Sequence, residues 1–182
     1  MSVIKNRPLK QLLWVGMGSI AMFFAGLTSA YIVRKAEGNW TEFILPEWFW
    51  YSTITIILSS VVLILAKQKI KKDKSVFSLV LSVFLLGLLF TYFQLNGWEE
   101  LINQGVYLTG EGSNVAGSFL YVLTLSHLVH LIGGLIALLV TAINAKRKKY
   151  SADNYLGLEI TSIYWHFLSI LWIYLFCFLK YL

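Results

Sequence analysis

The sequence predicts an all-α fold: an integral membrane bundle of five transmembrane helices with a cytoplasmic N-terminus and an external C-terminus. Three observations carry that expectation. Hydrophobic residues fill 58% and aromatic residues 16% of 182 positions, while charged residues fill only 13%, a balance that soluble domains do not show. Five apolar runs reach the roughly 20 residues that a helix needs to cross a bilayer. The charges gather between those runs, mostly on one side.

The first span covers about 12–33, from Leu12 to Val33, which is longer than the apolar region of a secretory signal. Before it, residues 1–11 form a basic N-terminus with Lys5, Arg7 and Lys10; residues 12–182 read as one five-helix domain. Ala21, Ala25 and Ser29, with Gly18, Gly26 and Ala30, predict a close helix contact, because small residues let helix backbones approach in lipid. Both prolines, Pro8 and Pro46, are expected outside helices. The second span, 48–66, ends at Lys67, Lys69, Lys71, Lys72 and Lys74; the third covers 76–96; the fourth, 115–143, ends at Lys146, Arg147, Lys148 and Lys149; the fifth covers 156–179.

Twelve of the fifteen basic residues therefore lie on one side, which the positive-inside rule makes cytoplasmic. The other side holds Arg34, Lys35 and Lys180 with Glu37, Glu42, Glu47, Glu99, Glu100 and Glu111. The net charge of +6 is thus a topology signal at the lipid headgroups, and nucleic acid is not an expected partner. One cysteine, Cys177, excludes a disulfide framework and a CxxC site within the chain.

The informative residues are polar ones inside the spans. "YVLTLSHLVHLIGGLIALLVTAI", Tyr121 to Ile143, carries His127 and His130, with Thr124 and Gly134 on a similar arc. In the fifth span Glu159, Ser162, His166 and Ser169 recur at i, i+3, i+7 and i+10, one face of a helix of 3.6 residues per turn. Ionisable groups at this depth face a protein interior, a polar partner or an ion path. Haem ligation needs axial ligands on opposite faces of an iron, which His127 and His130 on one helix cannot both supply. Zinc or copper ligation would have no cysteine companion and a single carboxylate. A proton relay fits histidine's titration range, and a small transporter or membrane cytochrome using His127, His130, His166 and Glu159 is one reading. The other is a hydrogen-bonded interior cluster that holds a lipid or a partner helix. In that cluster Glu159 is expected to pair with a histidine of the fourth span.

"EITSIYWHFLSILWIYLF", Glu159 to Phe176, resembles the last helix of subunit III of haem-copper terminal oxidases through Glu159, Tyr164, Trp165, His166, Phe167 and Trp172. The fourth span is similar to that family through Gly117, Ser118, Phe119, Thr124, His127, His130 and Gly134, the third through Gly87, Phe90 and Gln94, and the second through Ser59 and Ser60. The resemblance covers essentially the whole chain and is to the short, five-helix form. It implies a noncatalytic subunit of the bacterial cytoplasmic membrane, with no catalytic, cofactor or metal-binding residue of its own. Its implied partners are the catalytic subunit I, which holds haem and copper, subunit II of the same complex, and membrane phospholipid. It further implies a role in stabilising subunit I and sustaining proton uptake. Two positions depart from the family pattern: Ile20 stands where a carboxylate is common in the first span, and Ser169 stands where an aspartate commonly follows the YWHF block.

Overall fold

The computed structural model describes residues 2–38, 40, 43–72, 75–110, 112–151 and 154–181, with side chains from Pro8 onward. Lys74, Glu42 and Glu111, and the side chains of Lys5 and Arg7, lie outside that description. The chain forms five helices, α1 (Ser2–Ala36), α2 (Trp48–Ile70), α3 (Phe77–Asn103), α4 (Val115–Lys146) and α5 (Leu156–Tyr181), each long and apolar enough to cross a membrane. Pro8 lies inside α1 rather than before it. As the seventh residue of α1 it lies past the four N-terminal positions whose N–H groups have no partner within the helix, so the ladder gives up one bond there.

Helices α2, α3, α4 and α5 close into a ring: α2 packs on α3, α3 on α4, α4 on α5, and α5 returns to α2. Helix α1 stands outside and leans on α4 and α5. The side of α1 that packs is Met17, Phe24, Thr28 and Tyr31. Ala21, Ala25, Ser29, Gly18, Gly26 and Ala30 are all exposed, so the predicted small-residue contact is not made with any helix of this chain. The reason is that α1 buries bulk against α4 and α5, with Phe24 beside His130 at 5.8 Å between ring centroids and Tyr31 beside Phe178 at 4.9 Å.

Two helix ends show how sequence sets the chain reversals. Past the end of α3, Gly105 adopts φ +79°, and the Val106 N–H turns back to the Leu101 carbonyl at 2.9 Å, a left-handed helix stop that glycine makes without strain. Past α4 the same closure uses Lys148 at φ +53°, with the Lys149 N–H on the Asn144 carbonyl at 3.0 Å. At the start of α4 the Asn114 side chain caps the helix by accepting from the Gly117 N–H at 2.6 Å. A Cβ on Gly117 would lie 2.6 Å from Val106 Cγ1, so glycine there lets the loop segment around Val106 and Tyr107 fold onto the helix. Ser118 and Tyr121 then pin that loop through the carbonyls of Leu108 and Val106.

Inside the ring, α3 offers two glycine clefts to aromatic side chains. A Cβ at Gly97 would lie 2.7 Å from the Phe49 ring, and one at Gly87 would lie 2.6 Å from Leu135 Cδ2 and 2.7 Å from Trp165 Cη2. A rigid indole cannot retreat from that overlap as a flexible side chain does. Gly87→Ala should therefore destabilise the chain by about 1–3 kcal/mol, whereas Gly133→Ala, whose Cβ would meet nothing nearer than the Tyr164 hydroxyl at 3.8 Å, should be neutral. Midpoints of thermal unfolding in detergent, followed by tryptophan fluorescence, check both.

Candidate functional site

The YWHF block is where the ring is tied together. Successive helical residues point about 100° apart, so three neighbours on α5 reach three different surroundings. Tyr164 donates its hydroxyl to the His130 carbonyl of α4 at 3.2 Å. Trp165 is fully buried, wedged against Gly87 of α3 and Gly134 of α4, and its indole N–H donates to Ser59 Oγ of α2 at 2.9 Å. His166 meets Ser60 of α2 through Nδ1 at 3.0 Å. Phe167 is half-buried against the core.

About two turns along α5 from Trp165, Trp172 repeats the arrangement. Its indole N–H donates to Thr53 Oγ1 of α2 at 3.0 Å. Its ring stacks on Phe49 at 6.0 Å and meets the edge of Phe90 at 5.1 Å. His127 closes that layer from α4, 5.1 Å from the Trp172 centroid and 6.0 Å from that of Phe90, with 0% exposure. Among the described residues neither ring nitrogen of His127 has a hydrogen-bond partner, and the same is true of Gln94 Oε1. The other end of that amide, Gln94 Nε2, donates to Ser52 at 2.8 Å. Thr124, one turn before His127, accepts from the Trp98 N–H at 3.1 Å.

The remaining residues singled out in sequence lie elsewhere. His130 turns away from His127 toward α1, its Nδ1–H donating to the Ser126 carbonyl at 2.7 Å and its ring beside Phe23 and Phe24. Ser162 is buried. Ser169 is buried and bonded to Ser60 at 3.0 Å. Glu159 does not pair with a histidine: its carboxylate meets the Lys10 ammonium at 2.7 Å, with side-chain exposures of 25% and 36%. The correction has a geometric cause. Helix α1 runs parallel to α5 and continues past Leu12, which carries Lys10 alongside the first turn of α5, while both fourth-span histidines lie deeper. The polar residues of α4 and α5 are thus distributed over several helix contacts, and the described residues contain no group of three His, Cys, Asp or Glu side chains placed to hold a metal ion.

Sequence reasoning missed the acceptors on α2. Thr53 and Ser52 look unremarkable in "WFWYSTITIILSSVV", and only their spacing of about two turns from Ser59 and Ser60 hints at a common face. It also missed Thr28 against Tyr174 (3.0 Å) and Thr141 against Thr161 (2.9 Å), which bond α1 to α5 and α4 to α5. Among the grooves of the described residues, two border the bundle. One, of about 340 Å³ between α1 and α5, is lined by Leu12, Gly16, Met17, Ile20, Ile160 and Tyr164. The other, of about 350 Å³ at the opposite end, is walled by Trp98, Ile102, Tyr107 and Tyr121.

Fold and site together define an integral membrane helical bundle whose polar side chains join its own helices. The family described as Cytochrome c oxidase subunit III matches residues 45–182. The chain belongs to that family and is a subunit III of a multi-subunit haem-copper oxidase. It is 33% identical to a probable cytochrome c oxidase subunit 3 of Nocardia farcinica, over 94% of this chain and 87% of the relative. It is 25% identical to a probable quinol oxidase subunit 3 of Staphylococcus saprophyticus, over 90% and 83%. A cytochrome c oxidase subunit 3 of Rhipicephalus sanguineus is 32% identical over 69% of this chain and 48% of the relative's own length.

The indole-to-hydroxyl contacts make a direct expectation. Ser59→Ala leaves the buried Trp165 N–H without an acceptor and should cost about 1–3 kcal/mol. Trp165→Phe in the Ser59→Ala background should cost less than in the native chain, with a coupling of about 0.6–1.7 kcal/mol. A double-mutant cycle on unfolding midpoints reads it; additivity of the two changes would remove the bond from the account.

Proposed function

We propose that this chain is the noncatalytic subunit III of a terminal oxidase in a bacterial cytoplasmic membrane, set against a catalytic subunit I that holds haem and copper and a subunit II of the same complex. Its N-terminus and the lysine-rich ends of α2 and α4 face the cytoplasm, and its C-terminus faces outward, in keeping with the basic-residue asymmetry. It carries no cofactor; it stabilises subunit I and sustains proton uptake into it. The observation that carries this reading is how the mid-membrane polar groups are engaged. Trp165, Trp172, Trp98, Gln94 and Tyr164 each bond a neighbouring helix of the same chain, as a scaffold requires. The working groups of a relay or a ligand cage would instead converge. Phospholipid is a further partner: the groove between α1 and α5, of about 340 Å³, is apolar and lies beside the Lys10–Glu159 pair, as an acyl chain with its headgroup at the membrane surface requires. Ile20, at the position where relatives often carry a carboxylate, lines it and keeps that wall free of charge.

A complex lacking this chain should keep its haem spectrum and initial rate of oxygen reduction, then inactivate faster during turnover than the intact complex. Oxygen consumption over many turnovers, measured beside haem content, decides. Complete loss of the first turnover with every haem in place would return His127, His130 and His166 to the list of working residues. Orientation is tested separately in a Cys177→Ser background with single cysteines replacing Ser75 or Ser113, both exposed. An impermeant thiol reagent on intact cells should label position 113 and spare position 75, and the reverse would invert the topology.

A further inference from the structure

We propose that the seam between α2 and α5, centred on His166, is the surface on which a transmembrane helix of a partner oxidase subunit docks, presenting a hydrogen-bond donor to His166 Nε2. This rests on the assignment to a multi-subunit oxidase and says where on the chain the neighbour sits.

Ser169 Oγ lies 2.9 Å from the Trp165 carbonyl, an acceptor only, so the one Ser169 proton is used there. Ser60 must then donate to Ser169 across their 3.0 Å contact, which uses the one Ser60 proton. The bond between Ser60 and His166 Nδ1 is left with a single possible donor, the imidazole Nδ1–H. The relay fixes the tautomer, and the lone pair of the neutral ring stands on Nε2.

No described residue donates to Nε2, and the ring is half-buried at the outer edge of the ring of helices rather than enclosed by it. His166 lies about 10 Å of helix rise beyond Glu159, below the level of lipid headgroups, where acyl chains offer no donor and an open imidazole nitrogen is costly. The seam around it is uncovered and, apart from Lys67 toward the cytoplasmic end of α2, whose charge reaches the ring, apolar: Ile57 and Ile64 flank Ser60 on α2, and Ile170, one turn along α5, is 67% exposed. His130 has the same tautomer, but its ring lies in the contact between α4 and α1. The geometry fits a partner helix with isoleucine-sized grooves and one hydroxyl, amide or indole N–H at mid-depth.

The oxidase is purified through a tag on the haem-bearing subunit, and the amount of this chain per haem is measured after graded detergent washing. Asn reproduces the Nδ1 donor of histidine but not the Nε2 position, and Gln reaches the Nε2 position. His166→Asn should therefore dissociate about threefold to tenfold more readily than the native chain, and His166→Gln should lie closer to native. In the otherwise native chain, a photoreactive benzophenone side chain at Ile170 should form an adduct with another subunit of the purified oxidase. Native retention of His166→Asn, or adducts at Ile170 with lipid alone, would overturn the docking surface while leaving the subunit assignment standing. If the native chain does not copurify with haem at all, that assignment falls and the proposal with it.

Discussion

The bundle depends on one repeated interaction: a serine or threonine gives its proton to a carbonyl of its own helix and turns its lone pair to a neighbour. Ser59 donates to the Ile56 carbonyl, Thr53 and Ser52 to that of Phe49, and Thr124 to that of Leu120. Each hydroxyl is then an acceptor of fixed direction, met by the N–H of Trp165, Trp172, Gln94 or Trp98. In lipid this matters more than in water, because apolar helix faces gain nothing by leaving one apolar surroundings for another. What remains is close packing and the satisfaction of polar groups. The glycine clefts supply the first and the hydroxyls the second, and Trp165 requires both.

This logic separates the ring from α1. Helices α2 to α5 share indole-to-hydroxyl or amide-to-hydroxyl bonds across three of their four contacts, with Thr141 and Thr161 joining the fourth. Among the described residues, helix α1 has one side-chain hydrogen bond to the ring besides its ion pair, Thr28 to Tyr174, supplemented by aromatic edges around Tyr31 and by the partly exposed Lys10–Glu159 pair. An exposed ion pair of that kind contributes about 1 kcal/mol or less. The family match begins at residue 45 and so coincides with the ring.

The number of spans was legible in sequence because a membrane demands long apolar runs, and α2 to α5 begin within a residue or so of where hydropathy starts them. Helices α2 and α3, however, run on to Ile70 and Asn103, past 66 and 96, because polar residues end an apolar run without ending a helix. The start of α1 was not legible either, since polar residues and Pro8 act there in the same way. Within the site, Trp165, Gly87, Gly134, Ser59 and Gln94 could be picked out through a shared pattern, yet their physical connection could not. Which glycine faces which indole depends on the register of antiparallel helices, and a one-turn slide would leave the sequence pattern unchanged. The small residues of α1 illustrate the converse: the spacing of Ala21, Ala25 and Ser29 describes a surface suited to close approach but does not say which helix approaches.

The three histidines show why residue type alone could not define a role. His127 and His130 lie about one turn apart on α4, and helical spacing alone puts them within one arc. Three residues advance a helix by about 300°, and that residual rotation is enough to send His127 into the ring, against Phe90 and Trp172, and His130 to α1. An imidazole closed off from water and from donors is held as a neutral, nearly flat packing element, and His127 serves as one. His130 spends one nitrogen on its own helix, as the hydroxyls of α2 spend their protons. His166 spends one nitrogen on α2 and keeps the other directed out of the ring. The polarity of a membrane histidine is therefore decided by which helix contact its position reaches: the interior of the ring for His127, the contact with α1 for His130, and the seam between α2 and α5 for His166.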